Sequence, residues 1–366
     1  MKKILITGAA GFVGSRLVEI LKEQHNADVN ILLRNISRAA RISRYQLNYF
    51  QGNMNDEAVM NNAMKDCDTV VHCAHDFSSD EVNMEAADIL ARLCIKHNIS
   101  RLIYISTAGV HLCSDKEIIN ENSPLNISWP YSINKLRVEE KFLNYYQTQQ
   151  LPVIILRPSI IYGPFAGVWT NGFVKEMMNL RLILPFGGNR ICNAVYIDDV
   201  VQAILKAIHT PQEKNGQAYL VSGSEKITWK EFIEAYRKYP GLQEVVYWED
   251  ETSSQWYAQL ATDKPIVLKP TLSKDPIAYL KATYFYKIYQ RLLKNAFLKK
   301  KLLSTKSKIP RPLKYPAFDG YEIFGCTAKI CIQKIQTETG YMPEYDFVSG
   351  MKKTQTYLEW YNLSAD

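Results

Sequence analysis

The first 160 residues alternate between short apolar runs and stretches in which apolar residues recur at helical spacing. Such alternation predicts an α/β fold, a doubly wound parallel sheet with helices on both faces. Six runs are typical of strands: residues 3–7, 28–33, 47–51, 69–73, 102–106 and 153–156. Helices are predicted between them, near residues 13–25, 56–65, 80–97 and 131–149.

After residue 157 the apolar pattern becomes less regular, and the turn sequences Gly-Pro and Pro-Phe-Gly-Gly separate shorter elements. We predict one domain over residues 1–160, to which a segment at about 190–210 returns. A second, smaller and partly helical domain is predicted over residues 161–366, where we expect the substrate to bind.

Three glycines separate the first predicted strand from the first predicted helix, spaced G-x-x-G-x-x-G as Gly8, Gly11 and Gly14. Glycine permits a sharp turn and the close approach of a ligand to the backbone. The following helix directs free N–H groups and its positive dipole end at that ligand, which suits a pyrophosphate. The pattern predicts a Rossmann-type dinucleotide-binding turn; the alternative is a glycine-rich turn in an ordinary strand–helix unit.

Arg34 stands at the end of the second predicted strand. An acid at this place would bind the adenosine ribose of NAD, whereas an arginine suits the 2′-phosphate of NADP. Arg38 and Arg41 follow at helical spacing. We therefore expect NADP(H) to be preferred over NAD(H), although the three arginines are also compatible with a solvated helix face.

The third and fourth predicted strands end in small polar segments. Asn53 is a candidate contact of the adenine amino group, and Asp56 a candidate cap of the next helix; a loop and a helix cap explain the same residues. Cys73 and Ala74 leave room for a cofactor across the strand ends. His75 is a candidate substrate contact, or a solvated loop histidine.

The fifth predicted strand ends at Ser106 and Thr107, and Tyr131 and Lys135 follow four residues apart. Residues four apart share one helix face, and an ammonium beside a phenol lowers the pKa of the tyrosine. Such a phenol can give or take a proton during hydride transfer while the Thr107 hydroxyl holds the substrate oxygen. The alternative is an exposed pair of helix residues.

Together these motifs resemble those of the extended short-chain dehydrogenase/reductases, also called NAD(P)-dependent epimerase/dehydratases. Residues 71–74 resemble the small-residue stretch beside the cofactor, and residues 157–164 the strand-end motif near the nicotinamide. Residues 195–200 resemble a later substrate-domain motif, and residues 339–343 the usual C-terminal ending. The segment between about 235 and 337 matches no motif.

The resemblance implies that Tyr131 donates or accepts the proton, that Lys135 also binds the nicotinamide ribose, and that Thr107 takes the place of the usual serine. Asn53 departs from the family, in which an acid commonly meets adenine. With the strand-end residues above, the predicted cofactor site comprises Gly8, Gly11, Phe12, Val13, Gly14, Arg34, Arg38, Asn53, Met54, Cys73, Ala74, His75, Ser106, Tyr131, Lys135, Arg157, Pro158, Ser159 and Ile160.

Four positions bear on the reaction. Sugar-nucleotide enzymes of the family often carry an asparagine where this chain has Ile160 and an arginine where it has Cys192, and dehydratases tend to place acids where this chain has Ala108 and Gly109. We predict an NADP(H)-dependent oxidoreductase that transfers a hydride between nicotinamide and a carbonyl or alcohol of a non-nucleotide small molecule. The alternatives are a sugar-nucleotide epimerase, dehydratase or reductase, and a non-catalytic dinucleotide-binding regulator.

The net charge of +7 on 366 residues is concentrated in residues 281–314, which hold eleven Lys and Arg and no acid. Within the basic insertion at about 275–315, residues 276–303 are predicted to form an amphipathic helix. It would pack on the second domain, lie on an anionic membrane surface or bind an acidic carrier protein. A homodimer is a further expectation, and nucleic acid is not an expected partner.

Seven cysteines at irregular spacing, without C-x-x-C, predict reduced thiols and no metal site. We expect no signal peptide and no transmembrane helix. The predicted location is cytoplasmic, with a peripheral membrane association if the basic helix lies on lipid.

Overall fold

The computed structural model describes residues 3–111, 117–125, 129–237, 239, 241–260, 313–315 and 323–363. The predicted basic helix at 276–303 lies outside the described residues. The described strands are β1 (Ile4–Thr7), β2 (Val29–Leu33), β3 (Asn48–Gln51), β4 (Thr69–His72), β5 (Arg101–Ile105), β6 (Ile118–Ile119), β7 (Val153–Pro158), β8 (Ile160–Tyr162), β9 (Arg181–Leu184), β10 (Ile191–Cys192), β11 (Ala194–Tyr196), β12 (Ala218–Val221), β13 (Ile227–Thr228), β14 (Val246–Tyr247), β15 (Leu313–Lys314) and β16 (Lys329–Ile330).

Helices connect most of these strands. They are α1 (Phe12–His25), α2 (Glu57–Ala63), α3 (Asp80–Lys96), α4 (Pro130–Gln149), α5 (Phe173–Asn179), α6 (Ile197–His209), α7 (Trp229–Tyr236), α8 (Asp250–Leu260), α9 (Gln333–Thr339) and α10 (Phe347–Leu363). Short 3₁₀ or π segments lie at Ile36–Ile42, Ala108–Val110, Gly167–Gly172, Phe186–Gly188 and Gln212–Lys214.

Seven strands form one parallel sheet in the order β12-β7-β5-β4-β1-β2-β3. The predicted doubly wound sheet is confirmed, and all six predicted strands belong to it. β12 was missed because its four residues lie where the apolar pattern has loosened. Since the strands are parallel, their carboxyl ends meet at one edge, where ligands bind in open α/β sheets. We call the residues after β1, β4, β5 and β7 the strand-end edge: Gly8, Cys73, Ser106 and Ser159.

The central strands are buried along their whole length. Every residue of β1, β4, β5 and β7 is buried, as expected when helices cover both faces of a parallel sheet. On one face, Leu90 of α3 and Phe142 of α4 share a core cluster with Leu102 and Ile155 of the sheet. α1 packs against α6. This packing holds the strand-end edge on a rigid support.

The chain divides into two compact units, residues 1–170, 193–227 and 327–366 in the first and 171–192 and 228–326 in the second. The first contains the seven-stranded sheet. The second contains a small parallel sheet in which β14 and β15 flank β9. Its aromatic cluster includes Phe186, Trp248, Trp256 and Tyr257. The predicted domain boundary at residue 160 stays a prediction.

One cysteine departs from the sequence prediction. Cys326 is disulfide-bonded, so the expectation of seven reduced thiols is wrong at this position. The free thiols among the described residues are Cys67, Cys73, Cys94, Cys192 and Cys331. Sequence spacing does not reveal which cysteines meet in a fold.

Candidate active site

The turn after β1 is closed so tightly that a side chain does not fit at two of its glycines. Gly8 has a φ of +71°, and a Cβ there would lie 2.6 Å from the backbone nitrogen of Ala74. A Cβ on Gly14 would lie 2.4 Å from the carbonyl oxygen of Gly8. The turn therefore brings the backbones of β1, α1 and the end of β4 into direct contact.

The N-terminus of α1 keeps its backbone donors free of side-chain partners. Gly11 is the N-cap, no side chain caps it, and no acid lies in the first turn. The N–H groups of Phe12, Val13 and Gly14 have no carbonyl one turn earlier within the helix. Three donors and the positive end of the dipole thus meet at the strand-end edge, where they can hold an anion.

The arginines after β2 have different environments. Arg34 donates from Nη1 to Oδ2 of Asp76 over 2.6 Å, and its side chain is 63% exposed. Arg38 is exposed. The guanidinium of Arg34 thus has a carboxylate partner from the loop after β4. Contact of either arginine with a cofactor phosphate stays a prediction.

The segment after β3 shows the capping role that was considered for it. The Asn53 carbonyl accepts a hydrogen bond from the Asp56 N–H (3.1 Å), and the Asp56 side chain caps α2 through the N–H of Val59 (3.1 Å). Asn53 is exposed and Met54 is buried. An adenine contact by Asn53 stays a prediction.

The end of β4 is hydrogen-bonded to Thr7 of β1, once to its backbone and once to its side chain. The N–H of Cys73 donates to the Thr7 carbonyl (3.2 Å), and the N–H of Ala74 to the Thr7 hydroxyl (3.4 Å). The ring of His75 meets the ring of Tyr131 edge-on, with 5.0 Å between centroids. Burial lowers the pKa of His75 to about 3, so its imidazole is neutral at pH 7.

Two hydroxyl residues follow β5. Thr107 caps the 3₁₀ turn Ala108–Val110, and its Oγ1 accepts a hydrogen bond from the N–H of Gly109 (3.1 Å). Ser106 is 3% exposed, and its buried hydroxyl has no partner among the described residues. An unsatisfied buried hydroxyl at a strand end fits a site that is completed by a polar ligand.

Tyr131 and Lys135 lie in the first turns of α4, which begins at Pro130. Nζ of Lys135 donates to the Ile105 carbonyl (2.8 Å) and lies 5.8 Å from the centroid of the Tyr131 ring. Burial lowers the pKa of Lys135 to about 8 and raises the pKa of Tyr131 to about 12. The predicted lowering of the tyrosine pKa is therefore not seen, because desolvation of the phenolate dominates.

Two further aromatic residues contact Tyr131, and sequence reasoning missed both. The ring of Phe77 stacks on that of Tyr131 with 5.7 Å between centroids, and the ring of Trp129 lies 5.3 Å away. Phe77 is 85% exposed. Each lies within three residues of a motif residue, Trp129 before Tyr131 and Phe77 after Ala74, which is the signal that could have found them.

The end of β7 combines a buried ion pair with backbone contacts. The Arg157 guanidinium donates hydrogen bonds to the Glu139 carboxylate and to the His111 ring. The backbone of residues 158–160 continues along the edge: the Ser159 N–H donates to the Val221 carbonyl (2.9 Å). The structure thus places the Arg157 side chain in the interior and leaves the residues after it at the edge.

Within the described part of the chain, no group of three or more His, Cys, Asp or Glu is arranged to hold a metal ion. None of the helices in the same residues combines the length and the apolar character needed to cross a membrane.

Comparison with known proteins places the chain in a family. The model of the NAD dependent epimerase/dehydratase family matches residues 4–222, more than half of the chain. The chain belongs to this family and is an enzyme of the NAD(P)-dependent oxidoreductase type. The predicted family resemblance is confirmed.

Curated relatives include a dTDP-D-glucose 4,6-dehydratase of Dictyostelium discoideum, 30% identical over 236 residues. That match covers 56% of this chain and only 54% of the relative. An uncharacterized UDP-glucose epimerase of Bacillus subtilis is 25% identical over 322 residues, covering 77% of this chain and 99% of the relative.

Solved structures share the fold. A UDP-glucuronic acid 4-epimerase of Bacillus cereus, in complex with UDP-glucuronic acid and NAD, has a TM-score of 0.68 at 18% identity and covers 98% of this chain and 99% of its own. A dTDP-glucose 4,6-dehydratase of Bacillus anthracis in complex with NAD also has a TM-score of 0.68, at 19% identity. The match covers 98% of this chain and 97% of the dehydratase. The comparisons agree better with the sugar-nucleotide alternative than with the predicted non-nucleotide reductase.

Proposed function

We propose that this protein is an NAD-dependent epimerase of a nucleoside-diphosphate sugar, which oxidises a secondary hydroxyl of the sugar and reduces the ketone again. The observation that carries the proposal is that Thr107, Tyr131 and Lys135 lie beside a glycine-closed turn at the strand-end edge. The curated relatives are named as sugar-nucleotide enzymes, which supports the substrate class.

The residues at the edge fit a nicotinamide dinucleotide. The free N–H groups of Phe12, Val13 and Gly14 suit its pyrophosphate, and the Cβ-free surfaces of Gly8 and Gly11 permit close approach. The unpartnered hydroxyl of Ser106 offers a further hydrogen bond. A dinucleotide bound here would supply the acceptor and donor of a hydride.

Tyr131, Lys135 and Thr107 then have distinct roles at the sugar oxygen. With a pKa raised to about 12 by burial, Tyr131 is protonated at pH 7 and can donate its proton to a ketone oxygen during reduction. In the reverse direction the phenolate forms beside Lys135, whose ammonium offsets part of its charge. The Thr107 hydroxyl holds the same oxygen.

The 3₁₀ turn after Thr107 favours epimerisation over dehydration. Loss of water next to a ketone requires a base that removes the adjacent proton. Ala108 and Gly109 follow Thr107, so this turn carries no carboxylate. We therefore propose redox chemistry at one carbon, without the elimination that dehydratases perform.

NAD is proposed in place of the predicted NADP. Arg34 is the residue that suggested NADP, and its guanidinium lies 2.6 Å from Asp76. Asp76 is ionised, because hydrogen bonds from Ser78 lower its pKa to about 2. A carboxylate at this position would repel a 2′-phosphate.

A second candidate is the NADP(H)-dependent reductase of a non-nucleotide carbonyl compound. Ile160 and Cys192 favour it, since they stand where sugar-nucleotide members often carry the Asn and Arg that grip a diphosphate. Phe77, Trp129 and His75 around Tyr131 would suit an apolar substrate.

One experiment separates the two. The full chain is incubated with NAD⁺ and a panel of UDP- and dTDP-hexoses, and products are identified by NMR; in parallel, NADPH oxidation is followed with a panel of ketones and aldehydes. A sugar epimer supports the first proposal. Carbonyl reduction without any sugar-nucleotide product supports the second and overturns the first.

A further inference from the structure

A buried cluster joins β7 to the two elements that carry the proposed catalytic residues. Arg157 lies in β7, Glu139 lies on α4 one turn after Lys135, and His111 follows the 3₁₀ turn that Thr107 caps. Their exposures are 5%, 0% and 5%, so all three are inside the protein. Arg157 is among the predicted cofactor residues, but the proposed function gives none of the three a role.

Arg157 is the centre of this cluster. Its Nε donates to both carboxylate oxygens of Glu139, at 3.1 and 3.2 Å, and its Nη2 donates to one of them. Its Nη1 donates to Nε2 of His111 over 2.9 Å. One planar guanidinium thus holds α4 on one side and the end of the 3₁₀ turn on the other.

The contacts determine the state of His111. Arginine has only donors, so Nε2 of His111 must be an unprotonated acceptor, and the proton lies on Nδ1. Nδ1 is 3.2 Å from the Ser123 carbonyl, to which it donates. Burial and the charge of Arg157 lower the pKa of His111 to about 4, in agreement with a neutral ring. Both ring nitrogens therefore have partners.

We propose that the Arg157–Glu139–His111 cluster positions the Thr107 hydroxyl relative to Tyr131 and Lys135. The 3₁₀ turn Ala108–Val110 packs against both α4 and β7, and the cluster is a polar link between all three elements. The inference rests on the proposed function, in which Thr107 and Tyr131 hold one substrate oxygen. A displacement of about 1 Å in such a pair costs about 100-fold in rate.

The test compares two substitutions of His111. His111→Leu fills a similar volume without a hydrogen-bond acceptor, whereas His111→Gln retains one acceptor and one donor. With UDP-glucose and NAD⁺ as probes, we expect His111→Leu to lower kcat about 10- to 100-fold with KM changed by less than about 3-fold. His111→Gln should restore kcat to within about 3-fold of the natural protein. A role in folding alone would lower the melting temperature without this separation of kcat from KM.

Hydrogen exchange gives a readout that needs no substrate. The N–H groups of Gly109, Val110 and His111 bond back to Thr107 and Ala108, so exchange in residues 105–111 reports on the turn. In His111→Leu we expect exchange of residues 105–111 to be at least about 10-fold faster, while exchange in β1 and β4 stays unchanged. In His111→Gln we expect exchange of residues 105–111 to stay as in the natural protein.

The outcomes are distinguishable. If His111→Leu has the same hydrogen exchange and the same kcat as the natural protein, the positioning role is wrong. It is also wrong if His111→Leu and His111→Gln lose kcat equally. If the natural protein turns over no sugar nucleotide, the proposed function fails, while exchange in residues 105–111 still decides whether the cluster holds the turn. If His111→Leu does not fold, His111→Met replaces it in the same comparison.

Discussion

Helix α1 borders two regions that differ in how their polar groups are paired. At its N-terminus, the donors of Phe12, Val13 and Gly14 face the strand-end edge with no side-chain partner in the described part of the chain. Beside its middle lies a cavity of about 640 Å³, lined among others by Arg16, Glu19, Arg41 and Lys353. None of Thr107, Tyr131 and Lys135 lines this cavity.

Most charges beside the middle of α1 are already paired, although Nη1 of Arg41 is buried without a hydrogen-bond partner among the described residues. Arg16 donates to Asp198 (2.6 Å) and Glu19 (2.9 Å), and Arg41 donates to Glu19 (2.7 and 2.8 Å). A ligand there would compete with existing ion pairs, whereas a ligand at the N-terminus of α1 would meet unpaired donors. We therefore expect the dinucleotide to bind at the N-terminus of α1 and not in this cavity.

The largest expected effect is at the edge, in Tyr131→Phe. Removal of the phenolic proton should lower turnover of the sugar nucleotide by about 10²- to 10⁴-fold, because proton transfer to the ketone oxygen is lost. NAD⁺ affinity, measured by calorimetry, should change by less than about 2-fold. Tyr49→Phe, at a side chain that is 60% exposed on β3, is the matched control. Retained turnover in Tyr131→Phe would exclude Tyr131 as the proton donor.

A smaller but clear effect is expected in Gly14→Ala. The added Cβ would lie 2.4 Å from the Gly8 carbonyl and force the turn open, so NAD⁺ affinity should fall by about 10- to 100-fold. Gly167→Ala is the control, since no atom lies within 4 Å of a Cβ built there. Equal affinities in both variants would show that the turn does not bind the dinucleotide.

The paired charges should affect stability and not binding. Arg41→Gln removes two hydrogen bonds to Glu19, whose side chain is only 6% exposed, so the free energy of unfolding in urea should fall by about 1–3 kcal/mol. NAD⁺ affinity should remain within about 2-fold. A large loss of affinity would mean that the two regions around α1 are not independent.

The smallest effect concerns Lys135. Its pKa in the folded protein is about 8, below the ordinary value of 10.5. The unfolded chain therefore binds more protons between these values, and stability from this group rises with pH in that window. Lys135→Met removes the buried charge, so its melting temperature relative to the natural protein should be most favourable below pH 8 and lose that advantage toward pH 10. A difference independent of pH would contradict the lowered pKa.

Local patterns in the sequence predicted the parts of the site that depend on neighbouring residues. The glycine turn, the strands on either side and the i,i+4 pair of Tyr131 and Lys135 are such features, because each is encoded within one strand–helix unit. The doubly wound parallel sheet followed from the same alternation. The seventh strand, β12, was missed because it lies where the apolar pattern has loosened.

The parts that were missed depend on residues far apart in the chain. Arg157 meets Glu139 18 residues away and His111 46 residues away, and no spacing rule indicates either contact. The raised pKa of Tyr131 was missed for a related reason, since burial is set by the packing of Phe77, His75 and Trp129 around the ring. The chemical types of side chain were therefore predictable, and their electrostatic state was not.

The central claim is redox chemistry at one carbon of a nucleotide sugar, and deuterium at that carbon tests it most directly. UDP-glucose labelled at C4 is incubated with the full chain and NAD⁺, and the product is examined by NMR and mass spectrometry. We predict the C4 epimer with its deuterium retained, because the hydrogen removed from C4 returns to that carbon. A 4-keto-6-deoxy product, or an epimer that has exchanged its deuterium with water, would contradict the account.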